Sequence, residues 1–206
     1  MARRTKEDAD ATRNALLDAA ELVFYEKGVA RASLSEIAQA AGATRGAIYW
    51  HFKDKVDLFN AMMDRATLPL ERVCNAGEAA HAREPLAQLR GMVELLLRSI
   101  VSDVHMRRVF EIALYRVEYV SELSGVRERH LAAHARFQAL LERNLSLAAA
   151  QASLALPMPA AMAAAGLHAL FNGLLQSWLL GEASFDLPAA GRAAVDAYLR
   201  GLGFHV

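Results

Sequence analysis

The chain has 206 residues and a single cysteine, Cys74, which excludes an internal disulfide and fits a reducing compartment. Hydrophobic residues reach 54% while aromatics are only 7%, and alanine and leucine dominate, so helices are favoured over strands with material to spare for a core and an interface. With 23 basic and 23 acidic residues the chain has no net charge, and over residues 1–55 nine Lys/Arg meet eight Asp/Glu, so charge by itself does not announce a nucleic-acid partner. The N-terminal stretch is charged rather than apolar, and no secretory signal peptide is expected.

A first helix is expected from about Glu7 to Lys27, with Leu16, Leu17, Ala20, Val23 and Phe24 as its core stripe and Gly28 as its stop. Residues 33–55 then hold the most informative stretch. Ser33 followed by Glu36 reads as a capping box. Leu34, Ile37, Ala38 and Ala41 recur at helical spacing, and Gly42 stands where a left-handed C-terminal residue is wanted. Thr44 can cap a helix from Arg45 to about His51, and Asp54 can cap the next. Ala40, Ala41, Ala43 and Ala47 are small enough to let the two short helices cross closely. Such a pair can place its second helix in a DNA major groove, where Arg45 can fork onto a guanine or grip a phosphate. The same spacing also suits a helical hairpin inside a larger all-α domain.

A fourth helix is expected from about Asp54 toward Val73. Pro69 falls within it, so the helix either ends near Thr67 or kinks between Arg65 and Pro69, where it would serve as a hinge. Asn75-Ala76-Gly77 reads as a loop. Pro85 opens a fifth helix with Leu89, Met92, Val93, Leu96 and Ile100 inward. Asp103 caps a sixth through about Arg116. A seventh spans about Glu122 to Ala150, an eighth follows Pro157 and Pro159 to about Leu180, and a ninth starts at Asp186 and Pro188 and stops near Gly201. No strand is expected.

From Asn144 to Gly181 there is no charged residue. Ala160–Leu180 has the length of a membrane span, but His168, Asn172, Gln176 and Ser177 would be costly in lipid, and a helix buried on nearly all sides is expected. Ala161, Ala164, Ala165, His168 and Asn172 are candidates to meet a partner chain. Leu167, Phe171, Leu174, Leu175 and Trp178 are candidates for the core or a cavity. Helices five to eight carry the candidate wall of an apolar ligand pocket: Leu89, Met92, Val93, Leu96, Phe110, Leu114, Phe137, Leu141, Leu174 and Trp178, with Glu111, Asn172 and Gln176 as polar anchors. A filled core reads the same way. His130 and His134 stand four apart, but no third ligand lies near, and no metal site or cofactor is expected. Cys74 has no evident base partner. No phosphate loop, nucleophile elbow or zincin motif is present, and the chain is not expected to be an enzyme.

Thr44-Arg45-Gly46-Ala47-Ile48-Tyr49-Trp50-His51-Phe52, followed by Lys53-Asp54-Lys55 and Leu58, resembles the DNA-binding signature of the TetR family of bacterial repressors. Arg3-Arg4-Thr5-Lys6-Glu7 with Thr12-Arg13, and Phe24 to Arg31, are similar to its branch controlling multidrug efflux pumps, the AcrR-like regulators. Weaker echoes lie at Glu111-Ile112, Glu118-Tyr119, Gly173-Leu174, Trp178-Leu179 and 184–187. The family's Gly-x-Leu-Pro turn before the penultimate helix is absent, with Ala152-Ser153-Leu154-Ala155 in its place.

The expectation is therefore an all-α chain of about nine helices. Residues 1–53 would be a three-helix DNA-binding domain, and 54–206 a ligand-binding and dimerisation domain joined through the helix at 54–73. Arg45, Gly46 and Tyr49 would approach base edges. Ser33, Thr44, Trp50, His51 and Lys55 would mainly grip phosphates. The resemblance implies a homodimer built from helices eight and nine on a palindromic operator, released by small hydrophobic or cationic inducers. It further implies a bacterial cytoplasmic protein, at the nucleoid when DNA-bound, that represses an efflux operon and antibiotic resistance. A helical enzyme or carrier for a hydrophobic molecule is the alternative.

Overall fold

The computed structural model describes residues 6–75 and 84–206. Arg3, Arg4 and the loop expected at Ala76 and Gly77 lie outside them. Nine α-helices and no strand occur among the described residues: α1 (Lys6–Lys27), α2 (Leu34–Ala40), α3 (Arg45–His51), α4 (Lys55–Asn75), α5 (Pro85–Ser102), α6 (Val104–Tyr115), α7 (Ser124–Gln151), α8 (Ala160–Leu180) and α9 (Leu187–Gly201), with a 3₁₀ turn at Ser121–Leu123. α4 runs through Pro69 without ending at Thr67. The chain forms two compact units, Met1–Pro69 with Val104–His130, and Leu70–Asp103 with Leu131–Val206. By packing, α6 and the start of α7 therefore belong with the helix-turn-helix, a grouping that a boundary at 53/54 does not draw.

The first unit is built on α1. Its stripe of Leu16, Leu17, Ala20, Val23 and Phe24 is buried as the spacing requires, and meets Ile37, Ile48, Phe52, Leu58, Phe59, Met62, Val109, Ile112 and Val126 in one core. Phe24 is fully enclosed, its ring centroid 6.0 Å from that of Phe59. Gly125 lets α7 approach α4, because a Cβ there would stand 2.7 Å from Val56 Cγ1. Arg129 on α7 is ion-paired to Asp64 on α4.

Glu21 lies on the same helix as that stripe but is not a surface acid. It is 1% exposed. Arg108 Nη1 stands 2.5 Å from Glu21 Oε1, and His105 Nδ1 3.0 Å from Oε2, both from α6. Arg65 of α4 lies 3.9 Å away and holds Asp18 at 2.8 Å. Tyr25, next along α1, is flanked by the guanidinium groups of Arg108 and Arg116 at 5.5 and 5.6 Å from its ring centroid. α6 thus grips α1 through charge as well as through Val109 and Ile112.

The capping box at α2 is complete. Glu36 N–H donates to Ser33 Oγ at 3.2 Å, and Ser33 N–H donates to Glu36 Oε2 at 2.9 Å. Lys27 Nζ donates to the other carboxylate oxygen at 2.6 Å. These bonds, Lys27 first and Ser33 next, hold the Glu36 carboxyl down at about 2 against an ordinary 4.5. A carboxyl lowered in the folded state lends stability above its unfolded value and loses it as pH falls from 4.5 through about 2. A carbon-detected NMR titration is therefore expected to give Glu36 a midpoint near 2; a midpoint at 4.5 would show the box to be open in solution.

The second unit joins α5, most of α7, α8 and α9. Leu89, Val93, Leu97 and Ile100 of α5 are buried, with Leu97 rather than Leu96 completing the inward stripe. Gly191 lets α9 come close to α5, since a Cβ there would stand 2.1 Å from Leu97 Cδ1. Arg90 forks onto Asp196 at 2.7 and 2.9 Å, and Arg192 reaches Glu94 at 3.0 Å, so ion pairs flank the apolar contact between α5 and α9. No helix among the described residues is long and apolar enough to cross a membrane.

α8 divides into two faces. Ala163, Ala164, Leu167, His168, Phe171, Leu175 and Trp178 are buried, and Trp178 Nε1 donates to Phe185 O at 3.0 Å. His168 and Ala164 were candidates to meet a partner chain; both are covered by their own. The His168 ring centroid lies 4.2 Å from that of His134 and 5.0 Å from that of Phe137, which seals that side of the helix. The face left open runs through Ala161, Met162, Ala165, Ala169, Gly173, Gln176 and Leu180 at helical spacing and carries no charge.

Candidate nucleic-acid interface

α3 has only seven residues, too few to stand alone in water, so its shape depends on what holds its ends and its inner face. Thr44 caps the start, its Oγ1 accepting from Ala47 N–H at 3.2 Å. Gly42 takes φ +64°, the left-handed turn that separates α2 from α3, and no atom lies within 4 Å of a Cβ built there. Phe52 closes the other end, its N–H donating to Ile48 O at 2.9 Å. Ile48 is fully buried and Phe52 is 2% exposed, and these two side chains pin α3 to the core.

The outer face is made of different residues. Arg45, Gly46, Tyr49 and Trp50 are exposed, with Trp50 at 73%. A tryptophan so open contributes little to the core. The Arg45 guanidinium lies 5.9 Å from the Tyr49 ring centroid, one helical turn along. The nearest atom to a Cβ built at Gly46 is Thr44 Oγ1 at 3.9 Å, so this part of the backbone is bare. His51 is half-buried, edge-on to Trp50 with ring centroids 4.6 Å apart.

Five acids of the head are engaged by other partners or buried. Glu21 is buried, Asp18 pairs with Arg65, and Glu36 pairs with Lys27. Asp54 accepts from Asp57 N–H at 2.8 Å and Asp57 from Lys53 N–H at 2.9 Å, which caps α4. α3 itself carries Arg45 and no acidic residue, a local feature that a charge count over the whole head does not disclose.

Two of the residues expected to touch phosphate are engaged inside the head. Ser33 Oγ accepts from Glu36 N–H and donates to Glu36 Oε2 at 2.8 Å, so both functions of its hydroxyl serve the cap. Lys55 Nζ donates to Ala30 O at 2.6 Å and Ala32 O at 3.0 Å. Arg13 of α1, named in the sequence only as part of the family resemblance, holds its guanidinium 5.2 Å from the Phe52 ring centroid at the end of α3. No local pattern could have paired two residues so far apart in the chain.

The residues expected to line a ligand pocket divide between the units. Phe110, Glu111 and Leu114 belong to the first, all half-buried; Leu89, Met92, Val93, Leu96, Phe137, Leu141, Asn172, Gln176 and Trp178 belong to the second. Leu89, Val93, Leu141 and Trp178 are buried core, Met92, Leu96, Phe137 and Asn172 half-buried, and Gln176 exposed. His130 Nδ1 lies 3.2 Å from Tyr119 Oη, and His134 stacks on His168. Among the described residues no three His, Cys, Asp or Glu are grouped to hold a metal.

Residues 16–62 match the bacterial regulatory proteins of the tetR family, and residues 84–204 match the C-terminal region of MAATS-type transcriptional repressors. The chain is 38% identical over 200 residues to the transcriptional repressor BepR of Brucella suis, covering 97% of this chain and 96% of the relative. It superimposes on NalD, the secondary repressor of the MexAB-OprM multidrug efflux pump in Pseudomonas aeruginosa, with a TM-score of 0.82 and 36% identity, over 95% of this chain and 98% of that one. It also superimposes on a complex of SmeT with triclosan at a TM-score of 0.78 and 32% identity, over 93% and 91%. SmeT is the repressor of the Stenotrophomonas maltophilia multidrug efflux pump SmeDEF.

Proposed function

The chain belongs to the TetR family of bacterial regulatory proteins, and on that premise we propose that it represses a multidrug efflux operon, binds a palindromic operator as a dimer, and leaves it when a small hydrophobic molecule is bound. The observation that carries the reading is α3, whose exposed Arg45, Gly46, Tyr49 and Trp50 form a surface with no part in the core. Arg45 and Tyr49 read base edges, and Thr44, Trp50 and His51 hold the backbone.

The uncharged open face of α8, with α9 beside it, is the dimer contact, an apolar stripe that a second copy covers by two-fold symmetry. A dimer sets two α3 helices one or more helical turns apart and so demands a repeated half-site. Met92, Leu96, Phe137 and Asn172 contact the inducer, a small organic molecule by analogy with triclosan on SmeT. Induction is linkage: the inducer binds the DNA-incompetent shape more tightly and draws the population to it. The protein acts in the bacterial cytoplasm on nucleoid DNA and catalyses no reaction.

A gel-shift titration on the DNA flanking its own gene, with competitor present, tests this. A specific shift at nanomolar protein, released by triclosan or another hydrophobic drug, is the expected result. No specific shift at micromolar protein, and no duplex enriched from a random-sequence pool, overturns the reading.

A further inference from the structure

Lys55 is an odd residue to begin a helix. A cation in the first turn opposes the partial positive charge of the helix N-terminus. Its side chain turns back instead, and the ammonium donates to Ala30 O at 2.6 Å and Ala32 O at 3.0 Å, across 25 and 23 residues of chain. Those carbonyls lie between α1 and α2, where no helical ladder takes them, and Ala32 itself is 3% exposed. Burial pushes the Lys55 pKa below its ordinary 10.5, and the nearby Glu122 carboxylate partly offsets it.

The position of this contact gives it a consequence. Ala32 precedes Ser33, the N-cap that fixes where α2 begins, and Lys55 follows α3 by four residues. One side chain therefore joins the chain just before the helix-turn-helix to the chain just after it. α2 and α3 lie inside that closed loop, and the angle at which α3 stands depends on both ends of it.

We propose that Lys55 is a positioning residue for operator recognition: its ammonium closes the helix-turn-helix on the Ala30 and Ala32 carbonyls and so sets α3, and it does not grip a phosphate. The inference rests on the operator-binding reading above. A phosphate contact and a positioning contact differ in what salt does to them. Each phosphate contact adds about 0.9 to the slope of log affinity against log salt, so losing one from each half of a dimer lowers the slope by about 1.8. A positioning contact adds nothing to the slope, and its loss falls on the specific site, where the geometry of α3 matters.

The test uses the full dimeric protein, Lys55→Met, a duplex enriched by the wild type from a random-sequence pool, and a scrambled duplex of equal length. Specific affinity is expected to fall about tenfold or more, with the salt slope and the affinity for scrambled DNA as in the wild type. A slope lower by about 1.8, with both affinities reduced together, overturns the proposal in favour of phosphate contact. Unchanged specific affinity with a lowered melting temperature overturns it in favour of a purely structural bond. If the wild type enriches no duplex, the operator reading fails and Lys55 has no such role; if it enriches one that Lys55→Met binds equally well, the Lys55 role alone fails.

A second measurement does not depend on the variant folding. In wild-type protein treated with an acetylating ester, Lys55 is expected to react far more slowly than exposed Lys53, with no added protection from the enriched duplex. Equal reactivity in free protein, or protection appearing only with DNA, overturns the proposal.

Discussion

Replacing Arg45 with Ala is expected to weaken operator binding by at least ~30-fold while leaving thermal unfolding unchanged. A bidentate arginine–guanine contact is worth about 1–3 kcal/mol, and a dimer loses it twice, so the lower bound is about 2 kcal/mol in total. Stability is spared because the Arg45 side chain is exposed and leans on Tyr49, itself exposed. Titrations on the selected operator and on operators changed one base pair at a time check this. The variant should bind the wild-type site poorly and lose its preference at one position in each half-site. A loss spread evenly over all sequences, with a lower salt slope, would assign Arg45 to the backbone instead.

Replacing Glu21 with Ala should cost about 3 kcal/mol, the lower end of the range for breaking a buried ion pair by removing one partner. Glu21 is 1% exposed, but Arg108 is 25% and His105 62% exposed, so the partners left behind recover some water. For a chain of this length that lowers the melting temperature by roughly 6–12 °C. Calorimetry checks the size, and the double variant with Arg108→Ala checks the cause. If the pair is the source, the two changes together cost clearly less than their sum. A loss within about 0.5 kcal/mol, the scale of an ordinary surface change, would mean that α1 and α6 are held by their apolar contacts alone. Because α1 also carries Arg13 against Phe52, operator affinity measured well below the transition will show whether α6 steadies α3 as well as the core.

What could be read in advance was whatever is written locally. The Ser33–Glu36 box, the Gly42 turn, the Thr44 cap and the α1 stripe each depend on residues within about four positions, and each stands where the spacing put it. The exposed face of α3 followed from those same signals. The polar contacts that hold the head in shape were not legible, because their partners are remote. Glu21 meets His105 and Arg108 across 84 and 87 residues, and Lys55 meets its carbonyls across 25 and 23. An isolated glutamate and an isolated lysine look like surface charge in sequence. α5 misled for another reason: Leu95, Leu96 and Leu97 follow one another, so apolar periodicity does not choose among three adjacent faces, and contact with Gly191 on α9 selects Leu97. That His134 and Phe137 of α7 cover His168, a candidate for a partner contact, is likewise written nowhere near it in the chain.

The two-faced build of α3 also bears on how such a protein changes over generations. Ile48 and Phe52 face the core, whereas Arg45, Tyr49 and Trp50 are exposed outside it, with Trp50 edge-on to the half-buried His51. Substitutions at those three outer positions should therefore be nearly free of stability loss, within the roughly 0.5 kcal/mol typical of exposed sites. After a gene duplication, one copy can drift to a new DNA target in single viable steps, with no compensating change in its interior. The same freedom is closed to Lys55 and Arg13, so a lineage exploring new targets is expected to vary the outer face of α3 first and its supports last.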